Sequence, residues 1–204
     1  LNTKPAEAPA SLLIELDSIL DTIDVNKLFP DPKPLQVELG SGDGSFLVKY
    51  AALHPEWNFI GVERLLGRLR KIDRKGRRAG LMNMRGIRIE ASYFLEYLLP
   101  KKSAAAIHVY FPDPWPKRKH RKNRLVNERF PALAKAALAP GGEVYLRTDD
   151  ADYFAQMTSV FESSHLFVPM ETPSSLSEVQ TDFERGFIAR GVKTLRSAWK
   201  LPVG

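Results

Sequence analysis

The sequence predicts an α/β protein built on a doubly wound, mainly parallel sheet. Short apolar runs alternate with helical patterns of about ten to fifteen residues, the signature of repeated βαβ units. One run, Ala105–Phe111, is apolar almost throughout, as suits a strand buried on both faces. Another, Val37-Glu38-Leu39, leads straight into Gly40-Ser41-Gly42-Asp43-Gly44. Glycines there let the backbone turn tightly and approach a ligand closely.

The elements follow in order. Residues 1–34 read as an N-terminal extension to a single domain over 35–204. The extension has a polar Ala/Pro-rich opening, an amphipathic helix around Ser11–Thr22 and the lead-in Pro30-Asp31-Pro32-Lys33-Pro34. The chain opens at Leu1 rather than methionine, which suggests that residues precede it. After the glycine turn, Ser45–His54 predicts a helix ended by Pro55, and Asn58–Glu63 a second strand. A long helix then runs to about Gly80. Ile87–Glu90 predicts a third strand, Tyr93–Leu99 a helix, and Ala105–Phe111 the fourth strand. A proline-rich basic loop fills Pro112–Arg124, followed by a helix over Val126–Leu138, a strand over Glu143–Arg147 and a helix over Asp150–Ser164. A short strand at Leu166–Val168, a mobile polar loop over 171–185 and a last strand within Val192–Trp199 complete the chain.

Charge is distributed unevenly. The chain has net charge +6, yet Arg64–Arg78 alone carries +7 and Lys117–Arg124 another +6, leaving the remainder at −7. Arg64, Arg68, Lys71, Lys75 and Arg78 form one helical stripe beside an apolar one of Leu65, Leu69, Ile72, Gly76 and Ala79. The pattern predicts a ridge of unpaired cations on a helix whose other side packs on the sheet. A surface polarised in this way expects a polyanion. With no cysteine, disulfides and thiolate-held metals are excluded, and the four histidines lack metal-ligand spacing. No metal is expected. Neither a membrane-spanning run nor a signal-peptide layout is seen, so the expected location is cytoplasmic.

Two motifs carry chemistry. Glu63 ends the second apolar run nineteen residues beyond Gly44, where a carboxylate can accept hydrogen bonds from both hydroxyls of a ribose. A nicotinamide fingerprint, G-x-G-x-x-G, would need glycine where Ser45 stands. The pattern here is E-x-G-x-G-x-G from Glu38, and it resembles the first motif of class I S-adenosylmethionine-dependent methyltransferases. The plainer alternative is a strand-to-helix turn that uses glycine for geometry alone. The second motif is Phe111-Pro112-Asp113-Pro114-Trp115-Pro116-Lys117, where alternating prolines stiffen the backbone that presents Asp113, Trp115 and Lys117. These three offer a base-edge acceptor, a stacking plane and a phosphate-seeking cation. The cations that follow, Arg118, Lys119, Arg121, Lys122 and Arg124, are read with Arg64, Arg68, Lys71 and Lys75 as contacts to an RNA backbone.

Together the motifs resemble the tRNA (guanine-N7-)-methyltransferases, over about Leu35 to Lys200, most specifically in F-x-D-P-W-x-K. The resemblance implies a Rossmann-like methyltransferase fold with its last strand antiparallel. It implies S-adenosyl-L-methionine as cofactor and methyl transfer to N7 of a guanine in the variable loop of tRNA. Under it, Glu38, Gly40, Gly42, Gly44, Glu63, Glu90, Ala91 and Asp113 are cofactor-site residues, with Asp113 also catalytic. Lys117, Asp149, Thr181, Asp182, Phe183 and Glu184 are substrate contacts. Glu90-Ala91 stands where the family has Asp-Ala or Asn-Ala, and Phe183 where it has tyrosine. Read alone, Asp149 could cap the helix after it, Thr181 and Glu184 fit a capping box, and Glu90 is a strand-end acid. Trp199 and Phe187 read as core. The rivals are a nucleotide-dependent oxidoreductase and a non-catalytic RNA-binding module, and the chain reads equally as monomer or homodimer. Two further expectations follow. Glu63→Ala leaves folding nearly unchanged, and replacing Arg64, Arg68 and Lys71 leaves cofactor affinity unchanged, because these side chains point away from the packed stripe.

Overall fold

The computed structural model describes residues 10–203, and the polar opening of the chain lies outside the described residues. Eight strands form one sheet: β1 (Leu13–Ile14), β2 (Leu35–Leu39), β3 (Asn58–Val62), β4 (Met84–Ile87), β5 (Ala104–Tyr110), β6 (Leu138–Thr148), β7 (Val168–Met170) and β8 (Leu195–Lys200). Their order is β1-β4-β3-β2-β5-β6-β8-β7. Neighbours pair in parallel from β1 to β6, while β8 runs antiparallel to both β6 and β7. The expected doubly wound sheet with an antiparallel last strand is what forms.

β2 is buried along its whole length, and its alternation assigns the two faces. Leu35, Val37 and Leu39 join the core with Phe94, Phe130 and Tyr153, beneath α4 (Ala91–Tyr93, continuing as a π-helical turn over Phe94–Leu98), α5 (Phe130–Ala137) and α6 (Ala151–Ser164). The opposite face packs under α2 (Ser45–Leu53) and α3 (Leu66–Arg78) through Phe46, Leu47, Leu69 and Ile72. Gln36 and Glu38 point to that second face. Gly44 is needed where the two helices approach, because a Cβ there would stand 2.8 Å from Ile72 Cγ1.

Several elements differ from the sequence reading. No helix forms over Ser11–Thr22. Leu12 is buried, its N–H donates to the Asp73 carboxylate at 2.7 Å and its carbonyl accepts from Gly86 at 2.9 Å. The chain therefore adds β1 to the sheet edge, and the first helix, α1, is only Val25–Leu28. Between β1 and α1, local side-chain bonds such as Leu20 N–H to Ser18 Oγ compete with helix. Leu12, Ile23 and Phe29 all lie in the core, so the fold begins well before residue 35.

The third expected strand sits three residues earlier, as β4, because Glu90 leaves the sheet to cap α4 by accepting the Tyr93 N–H at 2.8 Å. α5 starts at Phe130 rather than Val126, whose N–H donates instead to the Tyr153 hydroxyl at 2.9 Å. The expected mobile loop over 171–185 contains α7 (Ser174–Glu178) and the start of α8 (Asp182–Ile188). A buried arginine from β6 holds both.

Candidate active site

Strand order reverses between β2 and β5, and the cleft opens there, beyond the carboxyl ends of the strands. Gly40 and Ser41 N–H groups both donate to the Val62 carbonyl, at 2.8 and 2.9 Å, which ties the glycine turn to β3. Gly40 and Gly42 have φ of 76° and 56°, and a Cβ on either would meet nothing within 4 Å. The turn therefore lies bare against open space. Buried Glu63 accepts the Gly42 N–H at 3.0 Å through one oxygen and the Leu65 N–H at 2.7 Å through the other. Gly40, Glu63, Glu90, Ala91, Asp113 and Trp115 border a first cavity of about 250 Å³. Glu38, Gly42, Asp113, Asp149, Thr181 and Phe183 border a second, of about 310 Å³. Asp113 belongs to both walls.

The Asp113 loop is strained and braced. Phe111 and Trp115 have φ of 50° and 43°, a left-handed backbone that bulky residues adopt only when their surroundings impose it. One brace is the Phe111 N–H donating to the Arg147 carbonyl at 2.8 Å. The other is Arg124. It was expected on the RNA surface, but it is only 1% exposed. Its guanidinium donates to the Pro114 carbonyl at 2.6 Å, and to Gln156 and Asp152 at 2.7 Å each, while lying over the Tyr153 ring. Arg124 is thus a buried clamp, because its stem and head fill the space between the loop and α6. Lys117, Arg118, Lys119, Arg121 and Lys122 remain exposed, with Arg121 3.0 Å from Asp152. Lys117 borders neither cavity.

Beneath the second cavity lies a polar layer that the sequence does not foretell. Burial pushes Glu38 up to about 8, with the Ser41 hydroxyl and Arg147 only partly offsetting it. Its Oε2 is buried without a hydrogen-bond partner, on a residue that borders the second cavity. His108 bonds Tyr110 and Gln36, each at 2.7 Å, and burial holds it down to about 3, which keeps it neutral. Arg147 is equally buried and donates to the carbonyls of Leu176 and Val179, pinning α7 and the turn after it.

Glu184 is fully buried between Arg147, at 3.1 Å, and Arg196. That corrects its expected contact with substrate, since both carboxylate oxygens are spent inside the fold. Thr181 acts as the cap of α8, accepting the Glu184 N–H at 2.9 Å. Asp150, rather than Asp149, caps α6, which leaves Asp149 on the cleft wall. Asp182 pairs with Arg185 and donates its N–H to Ser45 Oγ at 3.1 Å. Phe187, read as core, borders the cleft with its ring 5.5 Å from Phe111. Trp199 is core, stacked on Phe161.

The α3 ridge is not uniformly unpaired. Lys75 reaches Asp43 at 2.6 Å, and Arg68 comes within 4.0 Å of Glu63. Arg64 borders the first cavity and Arg68 borders both, so pointing away from the packed stripe does not remove these two from the cavity walls.

A family model described as "Putative methyltransferase" matches residues 28–196. A tRNA (guanine-N(7)-)-methyltransferase of Geobacter metallireducens is 37% identical over 147 residues, which cover 72% of this chain and 70% of that protein. The chain belongs to the tRNA (guanine-N(7)-)-methyltransferase family. The family's member from Thermotoga maritima is 32% identical over 173 residues, covering 84% of this chain but 55% of its own length. Among solved structures, the 16S rRNA methyltransferase KamB superposes with a TM-score of 0.63 over 89% of this chain and 95% of that one. At 14% identity that likeness is one of fold. Among the described residues no group of His, Asp or Glu could hold a metal ion, and no helix is long and apolar enough to cross a membrane.

Proposed function

We propose that this chain transfers a methyl group from S-adenosyl-L-methionine to N7 of a guanine in tRNA, in the variable loop. One observation carries the reading: Asp113 borders both cavities, so a single carboxylate stands where the space for the adenosine end of the cofactor meets the space for its amino-acid end and the accepting base. The fit to the cofactor rests on the bare glycine turn, on Glu63 and on the unpartnered Glu38 oxygen. Glu63, Glu90 and Ala91 would hold the adenosine end, and Glu38 with the glycine turn the amino-acid end. When bound, S-adenosylmethionine supplies an electrophilic methyl on a sulfonium centre.

Guanine N7 has an in-plane lone pair and needs no deprotonation before it attacks. The residues therefore align and stabilise rather than move protons. Asp113 and Asp149 accept hydrogen bonds from the Watson–Crick edge of the base and offset the positive charge that methylation leaves on its ring. The strained backbone at Phe111 and Trp115 and the Arg124 clamp keep Asp113 from relaxing. The exposed cations of the 117–122 segment meet RNA phosphates.

Incubation with labelled S-adenosylmethionine and bulk tRNA, followed by nucleoside analysis, tests the reading. N7-methylguanosine is the expected product, and Asp113→Ala is expected to bind tRNA without modifying it. Methylation found only on exocyclic amines or ring carbons would overturn the acceptor assignment.

A further inference from the structure

A third cavity, of about 370 Å³, opens beside the two already described and shares walls with them. Arg68 borders all three, while Asp43 and Phe183 border this one and the second. Its remaining walls include Lys71 from α3, with Asp182 and Arg190 from α8 and the turn after it. Neither Arg190 nor this cavity has a part in methyl transfer as derived above.

The charges facing the space do not cancel. Asp43 is engaged by Lys75 at 2.6 Å and Asp182 by Arg185, two cations outside the cavity wall. Lys71 and Arg190 make no ion pair among the described residues, and Arg68 has only the 4.0 Å approach to Glu63. Lys71 and Arg190 thus converge with their charge unspent, and Arg68 stands behind them with only that long approach. Between them and the second cavity stands the half-exposed Phe183 ring, while the Arg190 guanidinium rests 5.1 Å from the centre of the Phe187 ring. Cations that can hold a phosphate beside an aromatic face that can hold a base are what a single-stranded nucleotide needs.

We propose that this cavity is a subsite for the nucleotide adjoining the target guanine. Its phosphate is held by Lys71 and Arg190, with Arg68 behind them, and its base stacks on Phe183. The inference rests on the RNA reading above and deepens it. The subsite grips a base already out of the stack next to the reacting one, so it favours a looped or splayed strand over a duplex. Continuity with the second cavity argues for RNA rather than a separate mononucleotide, because one strand can pass from one space to the next.

The test is tRNA binding and turnover by Lys71→Gln/Arg190→Gln and by Phe183→Ala, read over a salt series. The double variant is expected to bind tRNA roughly tenfold more weakly and to lower the salt slope by about one unit for each phosphate it no longer neutralises. Phe183→Ala is expected to weaken binding by about fivefold to a hundredfold with an unaltered salt slope, and Phe183→Tyr to restore it. S-adenosylhomocysteine affinity is expected to stay unchanged in the double variant, which separates a missing subsite from a damaged fold. Wild-type methylation with unaltered affinity and slope in the double variant would overturn the subsite alone. A wild-type protein that binds no tRNA would overturn the function and the subsite with it.

Discussion

Glu63 has two tasks that alanine would remove together. Its carboxylate borders the first cavity, where we propose the ribose lies, but it also accepts the N–H groups of Gly42 and Leu65 from within the fold. Glu63→Ala therefore does not leave folding untouched, contrary to the sequence expectation. The buried Gly42 N–H left without a partner is expected to cost about 1–3 kcal/mol of stability, and the part-buried Leu65 N–H less. Glu63→Gln keeps one acceptor oxygen and should fold better while still losing about 1.5–3 kcal/mol of cofactor binding. Calorimetry with S-adenosylmethionine beside urea unfolding of both variants checks this, and equal unfolding midpoints would contradict it. Residues of this kind are legible in sequence because each lies at or just beyond the carboxyl end of a strand: Glu38, Gly40, Glu63, Glu90 and Asp113 all reach one cleft. Arg124 and Arg147 are not legible. Their partners lie 28 and 37 positions away, at Asp152 and Glu184, and no local pattern distinguishes a buried arginine from a surface one.

At the scale of elements, the loop between β5 and α5 divides its cations by task. Arg124 fixes the backbone at Pro114, whereas Lys119 and Lys122 are exposed and make no ion pair among the described residues. Arg124→Ala should destabilise the protein by about 1–3 kcal/mol, since it strands the Pro114 carbonyl and the Gln156 amide. It should also lower kcat more than it raises KM for tRNA, because Asp113 loses its frame. Lys119→Gln with Lys122→Gln should do the reverse, raising KM with kcat and stability preserved. Steady-state kinetics beside thermal unfolding separates the two patterns, and matching kinetic losses would refute the division. The sheet elements are readable because buried parallel strands are apolar runs between turn residues. The segment 11–22 misleads because its apolar spacing also suits a sheet edge. α7 and α8 escape a reading of the sequence because their short segments, the first of them Ser-rich, gain order from Arg147 beneath them, not from helical periodicity of their own.

For the whole molecule, two buried groups set opposing dependences on pH. Glu38 titrates near 8 when folded against 4.5 ordinarily, with burial the main cause and Arg147, Asp43 and Glu63 the charges around it. What it contributes is fully present below about pH 4.5 and lost as pH rises toward 8. His108 titrates near 3 against 6.5, through burial and then Arg147. Its contribution is present above pH 6.5 and lost as pH falls toward 3. Between 4.5 and 6.5 the folded chain holds one extra proton at Glu38 and the unfolded chain one at His108, so the two slopes cancel. Urea unfolding at pH 6 and pH 8 is expected to show the wild type weaker at pH 8 and Glu38→Gln much less so. An identical pH 6 to pH 8 difference in both proteins would sink the assignment. The same wholeness has a bearing on synthesis. β8 is the last strand in sequence, yet it lies inside the sheet between β6 and β7, and it carries the Arg196 that completes the neutralisation of Glu184. While a ribosome has not yet delivered residues 195–200, β6 keeps an open edge, β7 has no neighbour and a buried carboxylate has half its counter-charge. A stalled copy is then a substrate for chaperones and proteases, not a half-formed enzyme competing for RNA.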